Sequence, residues 1–265
     1  MWSKLTNYLS LALAYFKLNT KAQLEYKTAF FSQAVAMFIN DCFWLSYFVM
    51  FFGRFPVIKG WETVDVATLW AVTAAGFGIG HCLFGNSLQL ARIIAHGELD
   101  SWLLYPRALL PHIVLGKMSA SAFGDAVFGY VVYLVVVRPD FPHFVLFTAL
   151  TSSVALLFVG FSVLTGSLSF FVGNGESLSM AWRDALIAFS TYPPDLFTGW
   201  AKLMLFTVVP AVYVSGFPVE SLQKMSLFYA AYSLLGALVS VALATLVFNL
   251  GLRRYESGNM VAMRG

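Results

Sequence analysis

The chain has 265 residues, of which 59% are hydrophobic and only 11% charged, and its formal net charge is +3. A soluble domain normally carries about 25% charged residues, and a chain this poor in charge could not cover a water-facing surface. The composition therefore predicts an all-α membrane protein with no soluble domain of any size. A net charge this small, without a long basic run, argues against nucleic acid as a partner.

The first 25 residues alternate apolar and polar side chains at roughly helical spacing, with lysines at both ends. This pattern is typical of an amphipathic helix that lies in the membrane interface. We therefore expect residues 1–25 to form a cytoplasmic interfacial helix, the connecting helix. The alternative is a frayed tail.

Six apolar runs follow the connecting helix. A spanning helix needs about 20 mostly apolar residues, and the runs cover residues 29–52, 66–90, 109–137, 144–172, 199–216 and 227–250. The fifth run is short and is broken by Pro210. The pattern predicts about six transmembrane helices within residues 26–250, followed by a C-terminal tail of residues 251–265.

Lysine and arginine are unevenly divided between the two sides of this predicted topology. The side of the N-terminus carries Lys4, Lys17, Lys21, Lys27, Arg92, Arg107, Arg183, Arg253, Arg254 and Arg264. The opposite side carries Arg54, Lys59, Arg138 and Lys224. Because basic loops stay in the cytoplasm, both termini and the tail are expected to be cytoplasmic.

The sequence has no signature of an enzyme. It lacks a paired-histidine metal motif, a phosphate-binding loop and a nucleophile elbow. The closely spaced glycines at 76–80 fall inside an apolar run, where they favour close helix packing over nucleotide binding. We therefore predict no catalytic residue, no metal site and no cofactor bound by this chain.

Polar side chains inside the apolar runs are costly and usually face a bundle interior or a wet cavity. They are Asn40, Asp41, His81, Asn86, Lys117 and Asp125. They either line a polar path or form interhelical hydrogen bonds and ion pairs that fix packing. Asp41 in particular is expected to be buried against a partner in another span. A charge relay through Asp41, Lys117 and Asp125 would suit an ion-coupled secondary transporter, although the chain shows no inverted repeat.

A short mixed segment separates the second and third runs. Its acids stand beside apolar side chains, and its notable residues are Gly97, Glu98, Leu99, Asp100, Trp102, Leu103, Leu104 and Pro106. Such a pattern suits a short helix that docks into a groove on a partner protein. The alternative is an interfacial turn that dips into lipid headgroups.

The order of short motifs along the chain resembles the permease subunits of ABC-2 type exporters, most closely a bacterial branch with uncharacterised substrates. The motifs are Leu24-Glu25-Tyr26, Gly53-Arg54-x-Pro56, Gly60-Trp61, Gly97-Glu98-Leu99-Asp100, Leu103-Leu104, Pro106, Tyr192-Pro193, Gly199-Trp200, Pro210, Phe217-Pro218 and Gly251-Leu252-Arg253-Arg254-Tyr255-Glu256-Ser257. One departure is Tyr105, where the pattern has arginine before the proline.

The resemblance implies a multi-pass permease of the bacterial cytoplasmic (inner) membrane that pairs with a second copy or a related permease. Separate ATP-binding subunits would bind ATP and Mg²⁺ and drive outward movement of a hydrophobic or amphipathic molecule. The segment from Gly97 to Pro106 would be the coupling helix that rests on the ATPase, which the connecting helix also touches. A re-entrant segment between spans five and six, with Pro210, Gly216 and Pro218, would form the extracellular gate. The substrate is not readable from the residues.

Overall fold

The structure is a computed structural model that describes residues 2–106, 108–173 and 175–255, with side chains from residue 10 onward. Arg107 and residues 256–265 of the predicted tail, with Glu256 and Ser257 of the last motif, lie outside the described residues. The first half contains α1 (Trp2–Glu25), α2 (Lys27–Arg54), β1 (Val57–Ile58), β2 (Trp61–Glu62), α3 (Thr63–Leu83), α4 (Leu90–Ala95), α5 (Leu99–Leu103), α6 (Leu109–Leu115) and α7 (Ala120–Val132).

The second half contains α8 (Phe141–Gly166), α9 (Gly175–Ser190), α10 (Gly199–Thr207), α11 (Phe217–Lys224) and α12 (Leu227–Leu252). Short 3₁₀ turns cover Gly85–Gln89, Ser167–Phe170 and Pro194–Leu196, and π turns cover Tyr133–Val137 and Val212–Gly216. The strands β1 and β2 pair antiparallel as a small hairpin between α2 and α3. The fold is thus all-α apart from this hairpin, as predicted.

Five helical stretches among the described residues are long and apolar enough to cross a membrane. They are α2, α3, α7 with its π turn, α8 with its 3₁₀ turn, and α12. The predicted multi-span architecture is therefore confirmed. The helix α3 is the most buried of the five, because α2, α7 and α8 all pack around it.

The expected third span, residues 109–137, is interrupted in the structure. The helix α6 ends at Leu115, and α7 begins only at Ala120, after four non-helical residues. In this break, the Ser119 backbone N–H bonds to the carbonyl of His81 at 3.1 Å, which diverts the chain from helical hydrogen bonding. Lys117 lies in the break with an exposed side chain. The prediction that Lys117 lies inside the third span is therefore wrong.

The bundle is traversed a fifth time by α9, which is shorter than the helices that qualify as spans, and not, as predicted, by residues 199–216. After α9, the Lys59 ammonium donates to the Asp195 carbonyl at 3.1 Å, which joins this segment to the hairpin between α2 and α3. At the end of α11, the Gln223 amide donates to Asp65 Oδ1 at 2.6 Å, at the start of α3. Both ends of the α10–α11 segment thus lie on one face. Its two arms, Gly199–Thr207 and Val212–Lys224, meet at a bend of 74° and form a re-entrant pair.

The charged residues of α9 explain why the hydropathy pattern did not predict this crossing. The helix has 16 residues, or about 24 Å at about 1.5 Å per residue, and it carries Glu176, Arg183 and Asp184. Arg183, which the topology had assigned to a cytoplasmic loop, therefore lies within the bundle. The re-entrant pair lies between the fifth and sixth crossings, in agreement with the predicted order of elements.

Glycines bring the central helices into backbone contact. A Cβ at Gly76 or Gly80 would lie within 3.0 Å of Val154 or the Ala155 carbonyl on α8, and one at Gly78 would overlap the backbone of Ala126 on α7. Small residues permit such close approach between helices in a membrane. The packing interpretation of the glycines at 76–80 is thus confirmed.

Candidate functional site

The helices α2 and α7 touch at Gly124, next to one of the two buried aspartates. A Cβ at Gly124 would come within 2.2 Å of the Ala34 carbonyl oxygen and 3.0 Å of Met37 Cβ. Only a residue without a side chain permits this approach. The contact places Asp125 of α7 opposite Asp41 of α2.

Asp41 and Asp125 form a carboxyl pair at the interface of α2 and α7. Their side chains lie close enough to interact directly, and the Asn40 side chain lies beside Asp41. Asp41 is only 5% exposed and Asp125 only 4%. Two adjacent carboxylates in an apolar bundle repel strongly, so the contact requires a proton between them. The expectation that Asp41 is buried against a partner from another span is confirmed.

A cavity of about 390 Å³ opens beside this pair. Aromatic side chains form much of its wall, among them Trp44, Phe48, Trp70, Phe77, Phe158 and Tyr192. The Oδ2 atoms of Asp41 and Asp125 and the Nε1 atom of Trp70 are buried without a conventional hydrogen-bond donor or acceptor among the described residues. Asp184 of α9 also lines the cavity, with a largely exposed side chain. The volume lies within the range of about 300–1,000 Å³ for small-molecule sites.

His81 and Asn86, in contrast, make structural hydrogen bonds. His81 is fully buried, with Nδ1 3.0 Å from the Phe77 carbonyl and Nε2 3.4 Å from Ser162 Oγ on α8. Asn86 lies in the 3₁₀ turn after α3 and donates to the Ile113 carbonyl of α6 at 3.0 Å. These two side chains tie α3 and its extension to neighbouring helices and do not line the cavity.

Arg183 of α9 is a largely buried charge that the sequence analysis assigned to a loop. Its Nη1 lies 3.5 Å from the Leu88 carbonyl, and its Nε lies 3.8 Å from Asp184 Oδ1. Arg183 and Asp184 lie in the middle of an amphipathic segment of 16 residues. The hydropathy pattern predicts a loop there, because the segment is less apolar than its neighbours.

The predicted coupling segment forms the short helix α5 with its flanking residues. Leu99, expected to face a partner, is instead fully buried in the chain, because it packs in a core cluster with Leu90, Ile94 and Phe248. Glu98 makes an exposed ion pair with Arg92 at 3.8 Å. Gly97 has a φ of 72°, a conformation that favours glycine and lets the chain turn sharply into α5.

The outward face of this segment is apolar. Leu104 is 84% exposed, and Leu103, Tyr105 and Pro106 are also exposed. Trp102, in contrast, is partly buried, with its ring edge-on to His112 at a centroid distance of 5.2 Å. The surface offered to a partner therefore consists of Leu103, Leu104 and Tyr105, and Trp102 supports it from behind.

His112 connects the coupling segment to the N-terminal helix, and the sequence reasoning missed it as well. It is buried, and its Nδ1 lies 2.9 Å from the Tyr15 hydroxyl of α1. Tyr105 packs on the same imidazole with a centroid distance of 4.9 Å. Further along α1, the Asn19 amide donates to the Leu115 carbonyl at 3.0 Å. A single histidine in an apolar run gave no sequence signal for this junction.

The predicted gate residues all lie in or beside the re-entrant pair. Pro210 stands in the break between its two arms, where it cannot donate a backbone hydrogen bond. A Cβ at Gly216 would come within 3.0 Å of Pro194 Cγ, so the pair packs closely on the segment after α9. Pro218 is buried in the first turn of α11.

Comparison with known proteins gave one informative match. A family model described as ABC-2 family transporter protein matches residues 38–259, well over half of the chain. No curated protein and no solved structure gave a match.

Proposed function

The chain belongs to the ABC-2 transporter family and is a membrane permease component of an ABC transporter, and on this premise we propose that it exports a hydrophobic or amphipathic molecule. ATP and Mg²⁺ would bind to a separate ATP-binding subunit, and this chain would provide the path through the membrane. The permease would work in the bacterial cytoplasmic membrane, paired with a second copy or a related permease, with both termini in the cytoplasm.

The observation that carries the proposal is the exposed apolar surface of Leu103, Leu104 and Tyr105. It projects from the same face of the bundle as α1 and the end of α12, since His112 of α6 contacts both Tyr105 and Tyr15 of α1, and Tyr255, just after α12, donates to Asp100 of α5. Exposed apolar groups next to acids suit docking into a groove on a partner. The 265 residues contain no phosphate-binding loop that could drive transport by itself.

The contacts behind this surface connect α5 to the transmembrane helices, so that a movement of α5 can be transmitted to them. A push on α5 would act through Trp102 on His112, and His112 belongs to α6 and contacts α1 through Tyr15. Beyond α6, the non-helical break at residues 116–119 leads into α7, which carries Asp125 and contacts α2. ATP-driven closure of the partner would in this way shift α7 against α2 beside the cavity. The re-entrant pair at the opposite face would open to release the molecule.

The alternative of an ion-coupled secondary transporter is weakened by the position of Lys117. The proposed relay needed Asp41, Lys117 and Asp125 to lie together, and Lys117 is exposed in the break before α7. The carboxyl pair alone can hold a proton but makes no ion pair with a further charged group among the described residues. Dependence of transport on ATP hydrolysis and not on a proton gradient distinguishes the two functions.

The experiment is to purify the tagged chain from its native membrane, identify a co-purifying ATP-binding subunit by mass spectrometry, and measure ATP hydrolysis in nanodiscs. Leu104→Ser should release the subunit or reduce hydrolysis severalfold without loss of the folded permease. The matched control is Leu227→Ser, since Leu227 is a 77% exposed leucine at the start of α12, on the opposite face. Full hydrolysis by a Leu103→Ser/Leu104→Ser double variant would contradict the proposed coupling surface.

A further inference from the structure

The cavity between α2, α3, α7 and α9 has features that point to the chemistry of its ligand. Its wall combines aromatic faces with the Asp41–Asp125 pair, and α8 closes one side through Phe158. The inference below rests on the proposed transport function, because it names the class of molecule that the permease would carry.

The carboxyl pair supplies a negative charge in a cavity whose wall is mostly apolar. With one proton held between the two groups, the pair retains a single negative charge. In the described residues no lysine, arginine or histidine forms an ion pair with Asp41 or Asp125. A buried charge without a counter-ion is costly, and buried charges in proteins are normally paired.

The aromatic residues around the pair suit the same kind of ligand. Trp44, Phe48, Trp70 and Phe77 all line the cavity, and aromatic faces attract organic cations through their negative quadrupole. Asp184 also lines the cavity, but Arg183 Nε lies 3.8 Å from its Oδ1 and offsets its charge. An anionic ligand would meet the negative charge of the Asp41–Asp125 pair and is disfavoured.

Trp70 gives a separate indication of the chemistry of the ligand. Trp70 is only 7% exposed, and its indole Nε1 has no acceptor among the described residues although it borders the cavity. A buried donor of this kind needs an acceptor, which a ligand can bring. The orphaned donor is independent of the carboxyl pair and points to an oxygen atom on the ligand.

We propose that this cavity binds an amphipathic organic cation, with its charged group at Asp41 and Asp125, its apolar body among the aromatic side chains, and a hydrogen-bond acceptor at Trp70. The ligand charge neutralises the pair, and the ligand oxygen satisfies the indole. Asn40 also lines the cavity beside Asp41.

The first test is equilibrium binding of tetraphenylphosphonium to the purified permease in nanodiscs of neutral phosphatidylcholine. Tetraphenylborate is the matched probe, because it has the same shape and the opposite charge. We expect saturable binding of the cation that is at least tenfold tighter than binding of the anion. Equal or tighter binding of tetraphenylborate, or no saturable binding of the cation, would overturn the proposal.

Substitutions of cavity residues test whether tetraphenylphosphonium binds at the proposed site. Asp41→Asn/Asp125→Asn should weaken tetraphenylphosphonium binding at least tenfold, whereas Glu25→Gln, which removes an exposed carboxylate at the end of α1, should leave it unchanged. If the double variant does not fold, Ala74→Met decides, since it fills the cavity wall and leaves every charge in place. Unchanged binding in the folded double variant or in Ala74→Met would place the site elsewhere.

The Trp70 hydrogen bond is tested with benzoylcholine and 5-phenylpentyl-trimethylammonium, two aromatic quaternary ammonium ions of which only the first carries an ester. Trp70→Phe should weaken the binding of benzoylcholine severalfold more than the binding of the ester-free ion. An equal effect on both ions would contradict the proposed hydrogen bond between Trp70 and the ligand. All these measurements use the permease without ATP. An ATPase-coupled permease that binds no cation would therefore refute this inference and leave the proposed function standing.

Discussion

The Tyr255 hydroxyl donates a hydrogen bond of 3.0 Å to Asp100 Oδ1, and this bond joins the residues after α12 to the coupling segment. The Tyr255 ring also packs edge-on against Phe170, with a centroid distance of 6.0 Å. Burial, together with the hydrogen bond to Asp100, raises the pKa of Tyr255 to about 12. The phenol is therefore protonated and able to donate at any physiological pH. Through this contact, a displacement of α5 also reaches α12.

Tyr255→Phe should loosen the coupling segment while it preserves the ring packing on Phe170. The loss of one hydrogen bond is worth about 0.5–1.5 kcal/mol, so we expect a small drop in thermal stability in detergent and a larger drop in permease-dependent ATP hydrolysis. Tyr26→Phe serves as the control, since Tyr26 is an exposed tyrosine before α2. Identical hydrolysis in Tyr255→Phe and wild type would show that this bond plays no part in coupling.

Gly124→Ala should disturb the contact between α2 and α7. Its Cβ would lie 2.2 Å from the Ala34 carbonyl oxygen, so the helices must separate, and overpacking of this kind costs about 1–3 kcal/mol. The readout is the yield and melting temperature of the monodisperse protein. Gly53→Ala is the matched control, because a Cβ at Gly53 meets nothing within 4 Å. Equal melting temperatures for the two variants would contradict the close approach at Gly124.

Asp195 should stabilise the face that carries the hairpin in a pH-dependent manner. The hydrogen bond that Lys202 donates at 2.9 Å, with a second from Trp61 Nε1, holds the pKa of Asp195 below its ordinary value. A lowered pKa stabilises the fold above the unfolded-state pKa, and this contribution is lost as the pH falls through the folded-state pKa.

Asp195→Asn should therefore melt below wild type at pH 7, and the difference should shrink below about pH 4. Because the carboxylate is 46% exposed, the effect should stay within about 0.2–1 kcal/mol. Melting curves of both proteins across this pH range, with Glu25→Gln as a control, provide the check. A gap that is constant from pH 7 to pH 3 would argue against a contribution from the ionised group.

The two faces of the bundle should differ in their access to impermeant reagents. We expect a cysteine at Val57, in the hairpin that contacts Asp195 through Lys59 and Trp61, to be labelled by an impermeant maleimide from outside intact cells. A cysteine at His96, beside α5, should be labelled only after lysis. Cys42 and Cys82 are first replaced by serine or alanine to remove background. Labelling of position 96 in intact cells would reverse the proposed orientation.

The sequence by itself determined that this protein folds in lipid and that it is a helical membrane protein. A chain with 11% charged residues and long apolar runs can satisfy its surface only in lipid, and helices are the structure that satisfies backbone hydrogen bonds there. The ordered short motifs were enough to indicate the ABC-2 family, since they depend on local turn chemistry. The role of the glycines at 76–80 was readable for the same reason, because small residues in an apolar helix have few other uses.

Only the tertiary structure decided which helix makes the fifth crossing and which polar residues meet. Hydropathy favoured residues 199–216 over α9, since it scores a segment without knowing that neighbouring helices cover most of the Arg183 side chain. Asp41 and Asp125 are 84 positions apart, and their contact depends on the backbone approach at Gly124. Leu99 and Leu104 are chemically identical, yet one is fully buried and the other 84% exposed. Which face of a short helix turns inward depends on the packing of distant residues, and that information is not local to the segment.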